Sequence, residues 1–149
     1  MTDFEQYKRD DIDWFSPPFY SHTGGYRMCL RVHANGQDRG EGTDVSVLVH
    51  LMRGEHDDHL KWPFQGDITV QLLNQRREEE HMERTICFDD NAGSKYKSRV
   101  TGRFRAVNGW GYSKFIAHSA LGYNSAKNTE YLRNNCLKFR VTKIKVKNF

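Results

Sequence analysis

One short segment, His56-Asp57-Asp58-His59, places two imidazoles and two carboxylates within four residues, so a metal site must be considered. A catalytic metal takes ligands from several elements, and further hydrogen bonds hold those ligands in place. The sequence offers no convincing third partner, and the segment precedes Trp62-Pro63, where a solvated loop is the ordinary expectation. We find no nucleophile elbow and no Gly-Lys-Ser/Thr phosphate loop. The sequence therefore predicts neither an enzyme nor a cofactor, and a metal-dependent hydrolase is the disfavoured alternative.

Basic side chains concentrate in a second segment. Lys95, Lys97 and Arg99 alternate along the chain, and Arg103 and Arg105 follow. If this segment is a strand, the first three cations share one exposed face, and such a row can hold phosphates or acidic side chains. Edge strands also carry lysine simply to prevent pairing with other edges. The residues alone leave both interpretations open.

A third segment combines small and aromatic residues in the order Gly109-Trp110-Gly111-Tyr112. On a strand, Trp110 and Tyr112 share one face, and the glycines leave room for another backbone on the opposite face. Two aromatic rings on an open strand form a shallow pocket that suits proline or another compact apolar side chain. Rings that face the core are the alternative, which residue propensity leaves open.

Composition narrows the class of protein. The chain has 149 residues, a formal net charge of +4 and 28% charged residues, which suits one globular domain. No segment approaches the ~20 apolar residues of a membrane span, and the charged start lacks the apolar region of a signal peptide. Three scattered cysteines without a CxxC pair are typical of reduced thiols in a cytoplasmic protein. The modest positive charge does not indicate nucleic-acid binding.

Apolar and polar residues alternate with a period of two through much of the chain. This alternation predicts strands over residues 26–34, 43–52, 68–74 and 137–146, with a turn at Asn35-Gly36 and a β-bulge near Thr142-Lys143. Helical signals are weak, and the best of them predicts a short helix or a 3₁₀ turn within residues 119–128. The first dozen residues are polar and read as a frayed leader. The pattern indicates an all-β antiparallel sandwich.

Several segments together resemble the TRAF-C (MATH) domain of tumour necrosis factor receptor-associated factors. The likeness is greatest to the fourth and sixth members of that family. They occur in the family's order and are Phe15-Ser16-Pro17-Pro18-Phe19-Tyr20, Gly25-Tyr26-Arg27-Met28-Cys29-Leu30-Arg31, Arg53-Gly54-Glu55, Leu60-Lys61-Trp62-Pro63-Phe64, Gly109-Trp110-Gly111-Tyr112-Ser113-Lys114-Phe115-Ile116 and Tyr131-Leu132-Arg133-Asn134-Asn135. The resemblance implies a sandwich of about eight antiparallel strands. It assigns residues 15–149 to the domain and residues 1–14 to a polar leader or the remnant of a divergent first strand.

The resemblance also implies a function. Domains of this family are non-enzymatic adaptors that bind extended peptides from the cytoplasmic tails of receptors of the TNF or interleukin-1/Toll type, and from their adaptor proteins. The peptide adds a strand to an exposed sheet edge, and a trimer of the full-length protein clusters the receptors for signal transduction. Related MATH domains recruit substrates to ubiquitin ligases, which is one alternative here. Another is a phosphoinositide-binding surface of Lys95, Lys97, Arg99, Arg103 and Arg105.

The family's peptide-binding positions carry over to this sequence residue by residue. They are Arg31, His33, Arg105, Gly109, Trp110, Gly111 and Tyr112. Arg31 and His33 would lie on one strand of the groove, and the Gly-aromatic-Gly-Tyr element would hold a proline. The run of three serines that reads a central glutamine in the second family member is missing from residues 93–98. A Pro-x-Glu-x-x-aromatic/acidic ligand is therefore expected.

Overall fold

A computed structural model describes residues 1–147 and arranges eight strands in two antiparallel sheets. The strands are β1 Asp13–Phe15, β2 Phe19–Tyr20, β3 Arg27–His33, β4 Asp44–Met52, β5 Gly66–Leu72, β6 Met82–Phe88, β7 Trp110–Ala117 and β8 Phe139–Val146. One sheet has the order β1-β3-β4-β7, with β2 also paired to β3, and the other has the order β6-β5-β8. The all-β sandwich is confirmed.

The alternation of apolar residues sets which face of each strand meets the core. Met28, Leu30 and Val32 on β3 are at most 3% exposed, and the valines and leucine at alternate positions of β4 are fully buried. β4 does not alternate between buried and exposed residues, because its outer face is covered as well. Ser46 on that face is buried, accepting a hydrogen bond from the amide of Gln37 at 2.9 Å.

Two local predictions about the backbone are confirmed. The register of β5 against β8 shifts between Thr69, opposite Lys143, and Val70, opposite Val141, so Thr142 is the extra residue of a bulge. Gly36 adopts a φ of +78° in the turn between β3 and β4. A Cβ atom there would lie 2.1 Å from a backbone oxygen, so only glycine fits this turn.

Other predictions about local structure are confirmed in part or are wrong. Of the short helix or 3₁₀ turn expected within residues 119–128, the structure has a 3₁₀ turn, His118–Ala120. Lys95 and Lys97 do not lie on a strand, because the helix α2, Ser94–Lys97, contains both. β6 was not predicted, because Glu83 and Arg84 interrupt its apolar alternation.

The polar start of the chain is an ordered part of the domain, which corrects the expectation of a frayed leader. Helix α1 spans Phe4–Asp10, and the side chain of Phe4 is 1% exposed within the core. The Met1 amino group donates a 2.9 Å hydrogen bond to the Leu137 carbonyl, and the Leu137 amide donates one of 2.9 Å to the Met1 carbonyl. These contacts with a distant part of the chain hold the segment in place.

Within residues 1–147, no helix is both long enough and apolar enough to cross a bilayer.

Replacing Phe4 with alanine should test whether α1 contributes to the core. Loss of a buried phenyl ring should lower the free energy of unfolding by about 3 kcal/mol. The exposed Gln6 lies on the same helix, so Gln6→Ala serves as the control and should change stability by less than about 0.5 kcal/mol. Urea denaturation of both variants measures the difference. Equal midpoints would contradict a structural role for α1.

Candidate functional site

The site is built around β7, the last strand of its sheet. β4 pairs with one side of β7, and among residues 1–147 no strand pairs with the other side. The unpaired side of an edge strand presents backbone amides and carbonyls that can pair with an added strand. An extended segment of another molecule could therefore continue the sheet at this position.

Trp110 and Tyr112 extend from β7 towards β6 of the other sheet. They lie opposite Val49 and Val47 of β4, so both rings are on the core side of their sheet. Neither ring is fully buried. The Trp110 Nε1–H donates to the Cys87 carbonyl at 2.9 Å, and the hydroxyl of Tyr112, a residue that is 37% exposed, donates to the Thr85 carbonyl at 3.0 Å. These two hydrogen bonds fix the rings at the open side of the sandwich.

A cavity of about 250 Å³ lies between β6 and β7, beside the two rings. We call it the rim cavity, and its lining includes Thr85, Cys87, Asp89, Trp110 and Tyr112. Since the polar atoms of both rings already bond to β6, their carbon faces form an apolar surface. A compact apolar group such as a proline ring suits such a surface.

A larger cavity of about 870 Å³ lies on the outer face of β3, β4 and β7. We call it the outer cavity, and its lining includes Arg31, Gln37, His50, Tyr96 and Gly109. Trp110 and Gly111 line both cavities. The two cavities therefore meet at β7 and flank its unpaired side.

Gly111 is required by the pairing of β7 with β4. A Cβ atom at this position would lie 2.3 Å from the carbonyl oxygen of Val47. Gly109 is restricted by a side chain, because a Cβ atom there would lie 2.6 Å from Nε2 of His50. Gly111 thus allows β7 to approach β4 closely. Because neither glycine has a side chain, the adjoining wall of the outer cavity is left uncovered.

Arg31 and His33 are two residues apart on β3, but the structure does not bring them together. Arg31 lines the outer cavity and donates a hydrogen bond from Nη2 to the Gln37 side chain. The His33 ring lies between Asp11 and Asp13, with nitrogen–oxygen distances of 2.8 and 2.7 Å, and is 15% exposed. The hydrogen bond from His33 is the largest cause that lowers the pKa of Asp11. His33 therefore holds the start of the chain against β3.

The expected row of basic side chains is not formed. Lys97 is only 8% exposed and donates from Nζ to the Asp89 carbonyl at 2.8 Å. Arg99 pairs with Asp58 across the surface. The exposed residues Arg103 and Arg105 lie outside the strands, and the Arg105 carbonyl accepts the Arg53 amide at 2.7 Å. Arg105 does not line either cavity.

The segment that begins at His56 is held in a turn by hydrogen bonds within it and to Gly54. Its last three residues form a 3₁₀ turn, Asp57–His59, and the buried Asp57 carboxylate accepts the Gly54 amide at 3.0 Å. No group of three or more His, Cys, Asp and Glu side chains in residues 1–147 is arranged to hold a metal ion.

His50 also belongs to this site, and no motif in the sequence predicts it. Its side chain is 9% exposed, and Nδ1 lies 2.7 Å from the Val107 carbonyl. Burial is the main cause that lowers the pKa of His50. His50 alternates with the buried valines of β4, so a histidine on the face opposite the core is the signal that the sequence carries.

Comparisons with known proteins agree with this architecture. Residues 11–140 match the model of the TRAF/meprin MATH domain. Mouse TNF receptor-associated factor 5 is 36% identical over 146 residues, covering 95% of this chain and 25% of that protein. TNF receptor-associated factor 6 of Danio rerio is 35% identical over 107 residues, covering 71% of this chain and 19% of that protein. A structure of TRAF5 from Notothenia coriiceps superposes with a TM-score of 0.81 at 28% identity, covering 99% of this chain and 69% of that one.

The chain thus spans a quarter or less of the length of these two curated relatives. The expected likeness to the fourth and sixth members in particular is not confirmed, because the match to the fifth member covers more of the chain than the match to the sixth. The family match covers most of the sandwich, including β3, β4 and β7. The chain belongs to the TRAF/meprin MATH domain family.

Proposed function

We propose that this domain is a non-enzymatic adaptor module that binds an extended peptide by adding it as a strand to β7. The observation that carries the proposal is the unpaired side of β7 with a cavity on each side of it. Backbone hydrogen bonds supply affinity in this mode of binding, and pockets for alternate side chains supply specificity. The TNF receptor-associated factors among its relatives support a role in receptor signalling.

The expected ligand motif, Pro-x-Glu-x-x-aromatic/acidic, agrees with cavities on opposite sides of one strand. Successive side chains of an extended peptide point to opposite faces. The proline and the last residue of the motif are an odd number of positions apart, so they face opposite ways. The proline would enter the rim cavity against Trp110 and Tyr112, and the aromatic or acidic side chain would meet Arg31 in the outer cavity.

One site of this size binds weakly, with a dissociation constant on the order of micromolar or above. Three linked copies in a longer, trimeric protein would raise the avidity by ~10²–10⁴. We propose that the partners are cytoplasmic tails of receptors of the TNF or interleukin-1/Toll type and their adaptors. Clustering of those tails would start the signal. The resemblance also left recruitment of substrates for a ubiquitin ligase open, and it would use the same groove.

The Trp110 ring should be required for peptide binding. With a fluorescein-labelled peptide containing an acidic Pro-x-Glu motif, Trp110→Ala should weaken binding at least tenfold, because the proline loses one wall of its pocket. Lys114→Ala is the matched control on β7, since Lys114 is exposed and lines neither cavity, and should bind like the wild type. Fluorescence anisotropy measures affinity, and thermal unfolding checks that both variants fold.

A salt series on the same variants separates this proposal from lipid binding. A cationic surface for phosphoinositides would lose affinity steeply as salt rises and would keep it in Trp110→Ala. Peptide binding through the rim cavity predicts an affinity that changes little with salt. It also predicts that Trp110→Ala loses affinity.

Strand addition can be tested through the ligand's backbone. Methylation of one peptide amide that faces β7 removes a ladder hydrogen bond and adds a clash, so affinity should fall at least fivefold. Methylation of the next amide, which points away from the sheet, should have little effect. Isothermal titration of the two isomeric peptides compares them directly, and equal affinities would rule out strand addition to β7.

A further inference from the structure

We propose that the turn joining β5 to β6 forms a binding site for a phosphorylated side chain, and that the outer face of β8 binds acidic residues beside it in the same ligand. The ligand is an acidic peptide segment that carries phosphoserine or phosphothreonine. Such a phosphate has a charge of about −1.5 to −2 at pH 7 and three strong acceptor oxygens. The site uses neither β7 nor the two cavities beside it, so it goes beyond the proposed function.

The first observation is a cavity of about 400 Å³ between residues 73–81, which join β5 to β6, and residues 133–138, which lead into β8. We call it the basic pocket. Glu78 is the one carboxylate among its described lining residues, against four cationic side chains. The cations are Arg76, Arg77, Arg133 and Lys138. A concave site with this excess of positive charge attracts anions.

The second observation is that several donors in the basic pocket lack acceptors. Arg77 Nε is buried and has no hydrogen-bond partner within residues 1–147. His81 Nδ1 accepts the Asn74 amide at 2.9 Å, so in the neutral ring Nε2 carries the hydrogen and can donate. Lys138 is exposed, and its ammonium group makes no hydrogen bond or ion pair with the described residues. All three side chains line the same pocket, and a phosphate offers an acceptor to each of them.

Nearby carboxylates orient two of the arginines without using all of their donors. Arg77 Nη1 lies 3.1 Å from the Glu79 carboxylate, and Arg133 Nε lies 3.8 Å from that of Glu130. A guanidinium group has five N–H donors, so a carboxylate on one edge leaves others for a ligand. Glu78 is exposed, so water screens its charge. The basic pocket therefore keeps donors available while its arginines are held in place.

The third observation is a line of cations that continues from the pocket along β8. Three of them lie on the outer face of the sheet, because the alternate residues of β5 between their partners are fully buried. They are Arg140, Lys143 and Lys145, which pair with Gln71, Thr69 and Asp67. Lys147 follows and forms a 2.8 Å ion pair with Asp67, whereas Lys143 and Lys145 form none with the described side chains. The line from Lys138 to Lys145 is about 20 Å long, the length of a six- or seven-residue extended segment.

This arrangement favours a linear ligand over a lipid bilayer. Among the described residues, the cations of this face lie along β8 alone. The neighbouring strands present Asp67, Thr69 and Gln71 of β5 and Glu83, Thr85 and Cys87 of β6. A bilayer meets a protein as a plane, whereas an extended peptide is one strand wide. Acidic residues along such a peptide match a single row of lysines.

The experiment uses fluorescein-labelled nonapeptides that carry one phosphoserine and glutamate at alternate positions, and that contain no proline. Because a peptide can run along β8 in either direction, the phosphoserine stands first in one peptide and last in the other. The better of the two should bind at least tenfold more tightly than its serine counterpart, since the phosphate gains charge-assisted hydrogen bonds. Fluorescence anisotropy measures the affinities. Equal affinities for the phosphoserine and serine peptides would overturn the proposal.

Variants of the basic pocket locate the phosphate. Lys138→Gln should weaken the phosphopeptide about fivefold, because it removes one charged donor. His81→Asn keeps an acceptor for the Asn74 amide, removes the Nε2 donor and should also weaken it. Lys114→Gln removes the same charge from β7 of the other sheet and should bind like the wild type. Equal affinities of the Lys138 and Lys114 variants would overturn the assignment. Thermal unfolding checks that all three variants fold.

The row on β8 is tested by the double variant Lys143→Gln, Lys145→Gln. It should weaken the glutamate-containing phosphopeptide about fivefold and leave a phosphopeptide with serine in place of every glutamate unchanged. An equal effect on both peptides would overturn the role of the row. Neither this variant nor Lys138→Gln should change the affinity for the Pro-x-Glu peptide, so this site and the β7 site can fail separately.

Other anions distinguish the source of the phosphate. Inorganic phosphate should compete only at concentrations far above that of the phosphopeptide, and equal potency would show a site for free anions, which would overturn the peptide ligand. Phosphatidylcholine vesicles that contain phosphatidylinositol bisphosphate test the membrane. Vesicle binding without phosphopeptide binding would overturn the proposal in favour of a lipid surface. The ¹H–¹⁵N signal of Arg77 Nε gives a second readout, because it should shift with the phosphoserine peptide and not with the serine peptide. An unchanged signal with both would place the phosphate elsewhere.

Discussion

The pairing of β4 with β7 is the contact on which the proposed site depends. It is possible only because residue 111 is glycine, since a Cβ atom there would lie 2.3 Å from the Val47 carbonyl oxygen. The register then shifts between Val45 and Val47, so the two ends of β7 meet β4 in different alignments. In the first of these alignments Trp110 and Tyr112 lie on the core side and reach β6. β7 thus provides the aromatic wall of the rim cavity, and Gly111 on β7 and Gly109 just before it line the outer cavity.

Much of the fold could be predicted from the sequence because it is encoded locally. The cores of β3 and β4 follow the alternation of side chains, and the bulge in β8 appears as a change of phase near Thr142. What could not be predicted depends on contacts between distant residues. Helix α1 is held by the burial of Phe4 and by hydrogen bonds between Met1 and Leu137, and no local pattern reports such contacts.

The same distinction applies to the candidate site. The shared side of Trp110 and Tyr112 follows from their spacing, and the structure shows it. Alternation also put Arg31 and His33 on one face, but it says nothing about what covers that face. β1 pairs with β3 and places Asp13 against His33, while Arg31 lines the outer cavity. Two residues with the same orientation therefore have different roles, one in holding the chain start and one in lining a cavity.

The two cavities differ in the chemistry that they leave available to a ligand. In the rim cavity the polar atoms of both rings are already bonded to β6 carbonyls, so the rings offer fixed apolar faces that select by shape. In the outer cavity the Arg31 guanidinium and the His50 ring are among the lining groups, so this cavity is the more polar of the two in its side chains beside β7. If a peptide is added to β7 as proposed, the backbone ladder is the same for every sequence, and discrimination comes from these side-chain contacts. In the proposed mode of binding the two cavities lie on opposite sides of β7, so a peptide would meet the rings and the polar groups with residues an odd number of positions apart.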